Sequence, residues 1–133
     1  MSFNYIVEKR RTLDIKHLLF EDDESTSITL AETDVVRFKM GRRDGVKPDL
    51  DLVSGVATAN GSTITIEQRG PSPGAEVTVR FAQADTSGLV AGPYDAEIMV
   101  VDDSEIAPAD AVKSAEFGTV HLLETMGGSV ALN

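Results

Sequence analysis

The sequence predicts an all-β fold, an Ig-like antiparallel β-sandwich with an N-terminal arm, and three observations carry that expectation. Short runs that alternate apolar and polar residues with a period of two are punctuated by clusters of Gly, Pro, Asn and Asp, and no long helical pattern lies between them. The third observation is the stretch from Phe81 to Val101, FAQADTSGLVAGPYDAEIMVV, where a helix-compatible turn leads through Leu89 and Ala91-Gly92-Pro93 into a strand that opens with Tyr94. That order marks a tyrosine corner, in which a Tyr at the start of a late sandwich strand folds back to hydrogen-bond the backbone just upstream. Tyr94 is therefore assigned a structural task, locking one sheet to the other.

Taken in order, residues 1–20 form an N-terminal arm or a first strand, and residues 21–133 the sandwich domain. Leu13, Ile15 and His17 alternate like a strand, whereas Ile6, Arg10 and Leu13 suit one face of a helix. Val36, Phe38 and Met40 alternate with Val35, Arg37 and Lys39 up to the turn-rich Gly41-Arg42-Arg43-Asp44-Gly45, and Leu50 and Leu52 continue the pattern beyond it. Asn60-Gly61 reads as a hairpin signal leading into the alternating run Ser62 to Glu67. Gly70-Pro71-Ser72-Pro73-Gly74 excludes regular structure. Val77, Val79 and Phe81 then alternate with Glu76, Thr78 and Arg80, and Tyr94, Ala96, Ile98 and Val100 with Asp95, Glu97, Met99 and Val101. Asp102 to Ala115 is a long connection, either a loop or one helical turn after Pro108, and Phe117 to Met126 reads as the final strand.

Composition narrows the function classes. A chain of 133 residues is one domain's worth, and with five Phe, two Tyr and no Trp its core must come mainly from Val, Ile, Leu and Ala. There is no Cys, hence no disulfide and no thiolate metal site. A formal charge of −10 argues against a nucleic-acid partner, because counterion release needs a basic patch. No apolar run approaches the roughly 20 residues of a membrane span, and MSFNYIVEKRR lacks the order of a signal peptide, so a soluble protein made without a secretory leader is expected.

Catalytic and metal readings find little support in the residue pattern. Neither His17 nor His121 lies in a nucleophile motif, and His121 sits inside an apolar alternating strand, so no catalytic residue is assigned and no enzyme is expected. Glu21-Asp22-Asp23-Glu24 reads as a solvated acidic turn. Asp102, Asp103 and Glu105, with Asp110, offer hard oxygen ligands for a structural Ca²⁺ but lack the spacing of a calcium loop, so a surface acidic loop is preferred and no cofactor or metal is expected. Gly41 to Gly45 lacks the lysine and helix of a phosphate cradle and reads as a basic hairpin tip.

Charge separates the opening segment from the remainder. Lys9, Arg10, Arg11 and Lys16 against Glu8 and Asp14 leave it locally +2, while the rest is −12. An arm charged oppositely to its body docks on a neighbour, with Phe3, Tyr5, Ile6 and Val7 as apolar anchors and Arg10 and Arg11 as steering charges. On that reading, a chain lacking residues 1–12 stays folded but loses assembly.

From Ser27 onward the order of features resembles the Ig-like tail and baseplate modules of long-tailed bacteriophages. The matching elements are Ile28-Thr29-Leu30, Val36-Arg37-Phe38-Lys39, Leu52-Val53-Ser54-Gly55, Val77 to Phe81, the passage Asp85-Thr86-Ser87-Gly88-Leu89-Val90-Ala91-Gly92-Pro93-Tyr94-Asp95, and Val120-His121-Leu122-Leu123 before Gly127-Gly128. The Asp85 to Asp95 passage is the specific one; the acidic insert before Phe117 and the N-terminal extension depart from the pattern. The resemblance implies a virion structural protein of tail, baseplate or neck, made in the host bacterial cytoplasm. Its partners would be other virion structural proteins, in several copies per particle, with homo-oligomers among the arrangements, and without nucleic acid or membrane. The alternatives are a capsid-surface decoration protein and a receptor- or carbohydrate-binding sandwich; sugar binding wants exposed aromatic rings, which are scarce here.

Overall fold

Period-two alternation becomes two stacked sheets because each alternating run has one face that must leave water. The computed structural model describes residues 3–20, 26–42, 48–71, 74–102 and 112–124. Its elements are β1 (Phe3–Glu8), β2 (Leu13–Leu18), β3 (Asp34–Gly41), β4 (Leu50–Val53), β5 (Thr63–Arg69), β6 (Ala75–Phe81), the short helix α1 (Gln83–Thr86), β7 (Gly92–Asp102) and β8 (Val112–Leu123). One sheet has the order β1-β8-β7-β3-β4 and the other β2-β6-β5. The expected all-β sandwich is what forms. Its strand order is that of an immunoglobulin-type sandwich, with β3, β7 and β8 as the C, F and G strands and β2, β6 and β5 as B, E and D.

The inner faces supply the core. Val36, Phe38 and Met40 of β3, Ile98 and Val100 of β7, Val120 and Leu122 of β8, and Leu50 and Leu52 of β4 face Ile64, Val77, Val79 and Phe81 of the smaller sheet, all at 5 % exposure or less. The rings of Phe38 and Phe81 meet edge to face across the layers at 5.5 Å, a favoured aromatic geometry.

Of the two readings of residues 1–20, arm or first strand, the described part forms two strands. β1 lies parallel to β8, from Phe3 opposite Gly118 to Glu8 opposite Leu123, one parallel pair among the antiparallel pairs of the described strands. β2 crosses to the other sheet and pairs with β6. The reason is visible in the burial: Tyr5 and Val7 are 7 % and 0 % exposed, so β1 completes the core instead of leaving it. Gly118 is required beside it, because a Cβ there would collide with the Phe3 carbonyl and ring.

Three other expectations change. Asn60-Gly61 does turn, with Gly61 at φ 99° and its N–H bonded to Thr58 O at 3.0 Å. It is not the tip of a hairpin, because β4 pairs with β3 in one sheet while β5 pairs with β6 in the other, and the turn lies on the crossing between them. The last described strand starts earlier than Phe117, at Val112, and carries a bulge at Lys113, whose Nζ donates to Asp34 Oδ1 at 2.9 Å; Met126 lies outside the described residues. Ile28-Thr29-Leu30 forms no regular strand, yet it is stitched to its neighbours by Ile28 N–H to Leu19 O, Ala75 N–H to Ile28 O and Leu30 N–H to Arg69 O.

Candidate functional site

The passage from Asp85 to Tyr94 crosses from β6 to β7, and its side chains bond inward. Tyr94, 2 % exposed, donates its hydroxyl to Val90 O four residues upstream at 2.6 Å. Gly92 supports the bend with φ 137°, a region that side chains rarely enter. Thr86, fully buried, donates to Lys9 O at 3.2 Å and thereby ties α1 to the β1–β2 turn. Replacing Tyr94 by Phe removes one buried donor and is expected to lower stability by about 1–2 kcal/mol, read as a lower urea midpoint with an unchanged slope.

Asp85 holds the crossing loop. Its carboxylate accepts from Thr58 Oγ1 at 2.7 Å, from Asn60 Nδ2 at 3.0 Å and from Ser62 Oγ. Ser62, fully buried, in turn accepts from Ala82 N–H at 2.9 Å. Burial alone pushes the Asp85 carboxyl up, but the bonds from Ser62, Thr58 and Asn60 together outweigh it and hold the group below its ordinary range.

A second polar cluster joins β1, β2 and β8. Tyr5 Oη lies 2.8 Å from His17 Nδ1, His17 Nε2 lies 3.2 Å from Glu116 Oε1, and Glu116 Oε2 accepts Phe20 N–H at 3.1 Å. The neutral tautomer with hydrogen on Nε2 donates to Glu116 and lets Nδ1 accept the phenol proton, satisfying every member. Burial first, and the Glu116 charge second, push the Tyr5 phenol far above its ordinary value, so it stays protonated. The Phe3 ring closes the cluster from outside, 4.8 Å from Tyr5 and 5.4 Å from His17. Tyrosine, imidazole and carboxylate thus form an inter-sheet clip. Pattern reading missed it because Glu116 lies 99 residues from His17; the one local signal was an inward-facing histidine, which needs a buried polar partner.

The residues expected to bind partners separate by strand face. Tyr5 and Val7 point into the protein's own core, which corrects their assignment as docking anchors, and Phe3 is half-buried over the clip. Ile6 points outward and is 55 % exposed. Arg10 and Arg11 are exposed on the β1–β2 turn, Arg11 3.9 Å from Glu8. His121 pairs with Ile6 on the outer face.

Between β3, β4 and β5 lies an open groove of about 470 Å³, lined by residues that include Glu32, Asp34, Ser54, Thr65 and Arg69. Its main charges are engaged in the fold: Asp34 accepts from Lys113 and from Ala31 N–H, and Arg69 donates to Ala31 O. Among the described residues no three His, Cys, Asp or Glu are grouped to hold a metal ion. Asp103, Glu105 and Asp110 lie outside the described residues, as do Glu21 to Glu24 and Arg43 to Gly45; Asp102 ends β7, half-buried. No helix among the described residues is long and apolar enough to cross a membrane.

No protein-family profile matches the chain, and no curated protein matches it.

Proposed function

We propose that this chain is a structural protein of a tailed-bacteriophage particle, a non-enzymatic building block of the tail, baseplate or neck that docks against neighbouring structural proteins. The observation that carries the reading is the Asp85 to Asp95 passage. The residues through which the chain resembles the phage modules are the ones that bind the two sheets together, through the Asp85 loop clamp, the Thr86 tie to Lys9 and the Tyr94 corner. A block of this kind works by presenting fixed surfaces, and its docking contacts come from outward-facing side chains such as Ile6, Phe117, Arg10 and Arg11. Both tyrosines are buried and Phe117, at 64 % exposure, is the only exposed aromatic ring among the described residues, which favours protein docking over sugar stacking.

The test is composition and imaging of purified particles. The chain is expected in washed virions by mass spectrometry, in repeated copies, with the five-plus-three-stranded sandwich visible in tail, baseplate or neck density. Absence from intact particles overturns the proposal, and density confined to the capsid surface overturns the tail assignment.

A further inference from the structure

The loop that crosses from β4 to β5 carries Asn60-Gly61 at its tip, and of the chain's asparagines, Asn4, Asn60 and Asn133, only Asn60 precedes glycine. Residues 59–61 are exposed, and the space around Gly61 is open, since a Cβ built there would meet nothing within 4 Å. Such a pair is chemically labile, because glycine has no side chain to keep the asparagine side chain from closing on the next backbone nitrogen. Two hydrogen bonds hold this one back. Gly61 N–H donates to Thr58 O at 3.0 Å, and Asn60 Nδ2 donates to Asp85 Oδ1 at 3.0 Å. Asp85 is fixed in turn by Thr58 Oγ1 at 2.7 Å and by the buried Ser62 hydroxyl.

We infer that Asn60 is a site of spontaneous deamidation in the folded protein, that Asp85 guards it, and that its conversion undoes part of the loop clamp for good. The reaction starts when the loop opens far enough to free Gly61 N–H from Thr58 O. The Gly61 nitrogen gives its proton to water and bonds to Asn60 Cγ, the bond from Cγ to Nδ2 breaks, and the side-chain nitrogen leaves as ammonia. Water then opens the cyclic imide. Attack at Cγ leaves aspartate in a normal backbone, and attack at the main-chain carbonyl leaves isoaspartate, with the chain routed through the side chain. By either route a water is consumed, an ammonia is released, and a neutral amide becomes a carboxylate.

The product cannot remake the contact. A carboxylate at position 60 has no hydrogen to donate, and it stands where the amide lay 3.0 Å from Asp85 Oδ1, so two anions repel where a hydrogen bond had been. Isoaspartate also adds a backbone atom to the turn that Gly61 N–H closes on Thr58 O. Thr58 and Ser62 still hold Asp85, so the sandwich persists while the crossing loop loses its outer tie. The device runs one way: local opening permits the reaction, and the reaction favours opening. The inference stands apart from the virion reading, since it concerns the purified chain alone.

Peptide mapping by mass spectrometry of the full chain, held folded in mildly alkaline buffer, should show Asn60 converting to aspartate and isoaspartate while Asn4, which precedes Tyr5 inside β1, keeps its amide. The urea-unfolded chain should convert faster. Folded Asp85→Asn should convert at least about tenfold faster than folded wild type, the equivalent of one charge-assisted hydrogen bond lost from the closed loop. Wild type in urea below its midpoint gives a second reading should that variant not fold, because conversion should rise there before global unfolding begins. Asn60→Asp should lower the urea midpoint. A folded wild-type chain that keeps its Asn60 amide throughout overturns the site. Equal rates in wild type and folded Asp85→Asn, or a rise that only follows global unfolding, overturn the guard, and an Asn60→Asp midpoint equal to wild type overturns the loss of the clamp.

Discussion

A chain lacking residues 1–8 will not fold into a soluble domain; it will show no cooperative urea transition by circular dichroism and will aggregate on concentration. The deletion removes Tyr5 and Val7 from the core, at 7 % and 0 % exposure, and uncovers Val120 and Leu122 on the strand β1 had covered. Burying one such side chain contributes about 1.5–3 kcal/mol, and His17 and Glu116 are left in a part-buried site without the Tyr5 hydroxyl. Together these losses approach the whole stability of a small domain, about 5–15 kcal/mol. The outcome is the reverse of what a detachable arm predicts. A truncated chain with a wild-type urea midpoint would show that β1 contributes nothing to the sandwich.

Asp85→Ala should be the most damaging single polar substitution, costing about 2–4 kcal/mol, because it leaves several buried or half-buried donors without their acceptor. Ser62 is the critical one, with no exposure and a hydroxyl aimed at the lost carboxylate. The same bonds make stability depend on pH. The folded-state pKa of Asp85 lies below its ordinary 3.8, so its contribution is fully present above that value and is lost as pH falls through the lowered one. Urea midpoints measured down through the acid range should therefore fall for the wild type and fall less steeply for Asp85→Asn. Asp14 is also held low by Arg80, through their paired hydrogen bonds, but both side chains are exposed and that pair adds little. Parallel acid limbs in the two proteins would remove Asp85 from the account.

What could be read from the residues was what is local. Val36, Phe38 and Met40, then Val77, Val79 and Phe81, then Tyr94, Ala96, Ile98 and Val100 each repeat at a spacing of two, and the structure buries all ten. The helix-compatible turn before Tyr94 is visible for the same reason. What could not be read is set by contacts between distant residues. Nothing near Tyr5 says that its ring meets a histidine on another sheet or that Gly118 makes room for Phe3. Asn60-Gly61 carries the chemistry of a hairpin turn, but whether two strands pair across it depends on Asp85, 25 residues later, which draws the loop toward α1. The exposure of Phe117 was equally hidden, because it looks like a core residue until its register against Glu97 places it on the outer side of the sheet, 64 % exposed. Local pattern names the strands; pairing decides which face each presents.

The parallel union of β1 with β8 also orders events during synthesis. Among the described strands β1 is made before all the others and its hydrogen-bonding neighbour β8 after them, with Lys9 N–H closing on Leu123 O at 2.8 Å. Closing so long a loop comes late in folding, since the entropy of bringing distant segments together must be met before the contact rewards it. Until translation reaches β8, the nascent chain carries Tyr5 and Val7 unpaired, and a neighbouring nascent copy offers them the same strand. Exchange of β1 between copies is therefore the misassembly this topology exposes the chain to, since swapping an identical element is a low-cost route to a dimer.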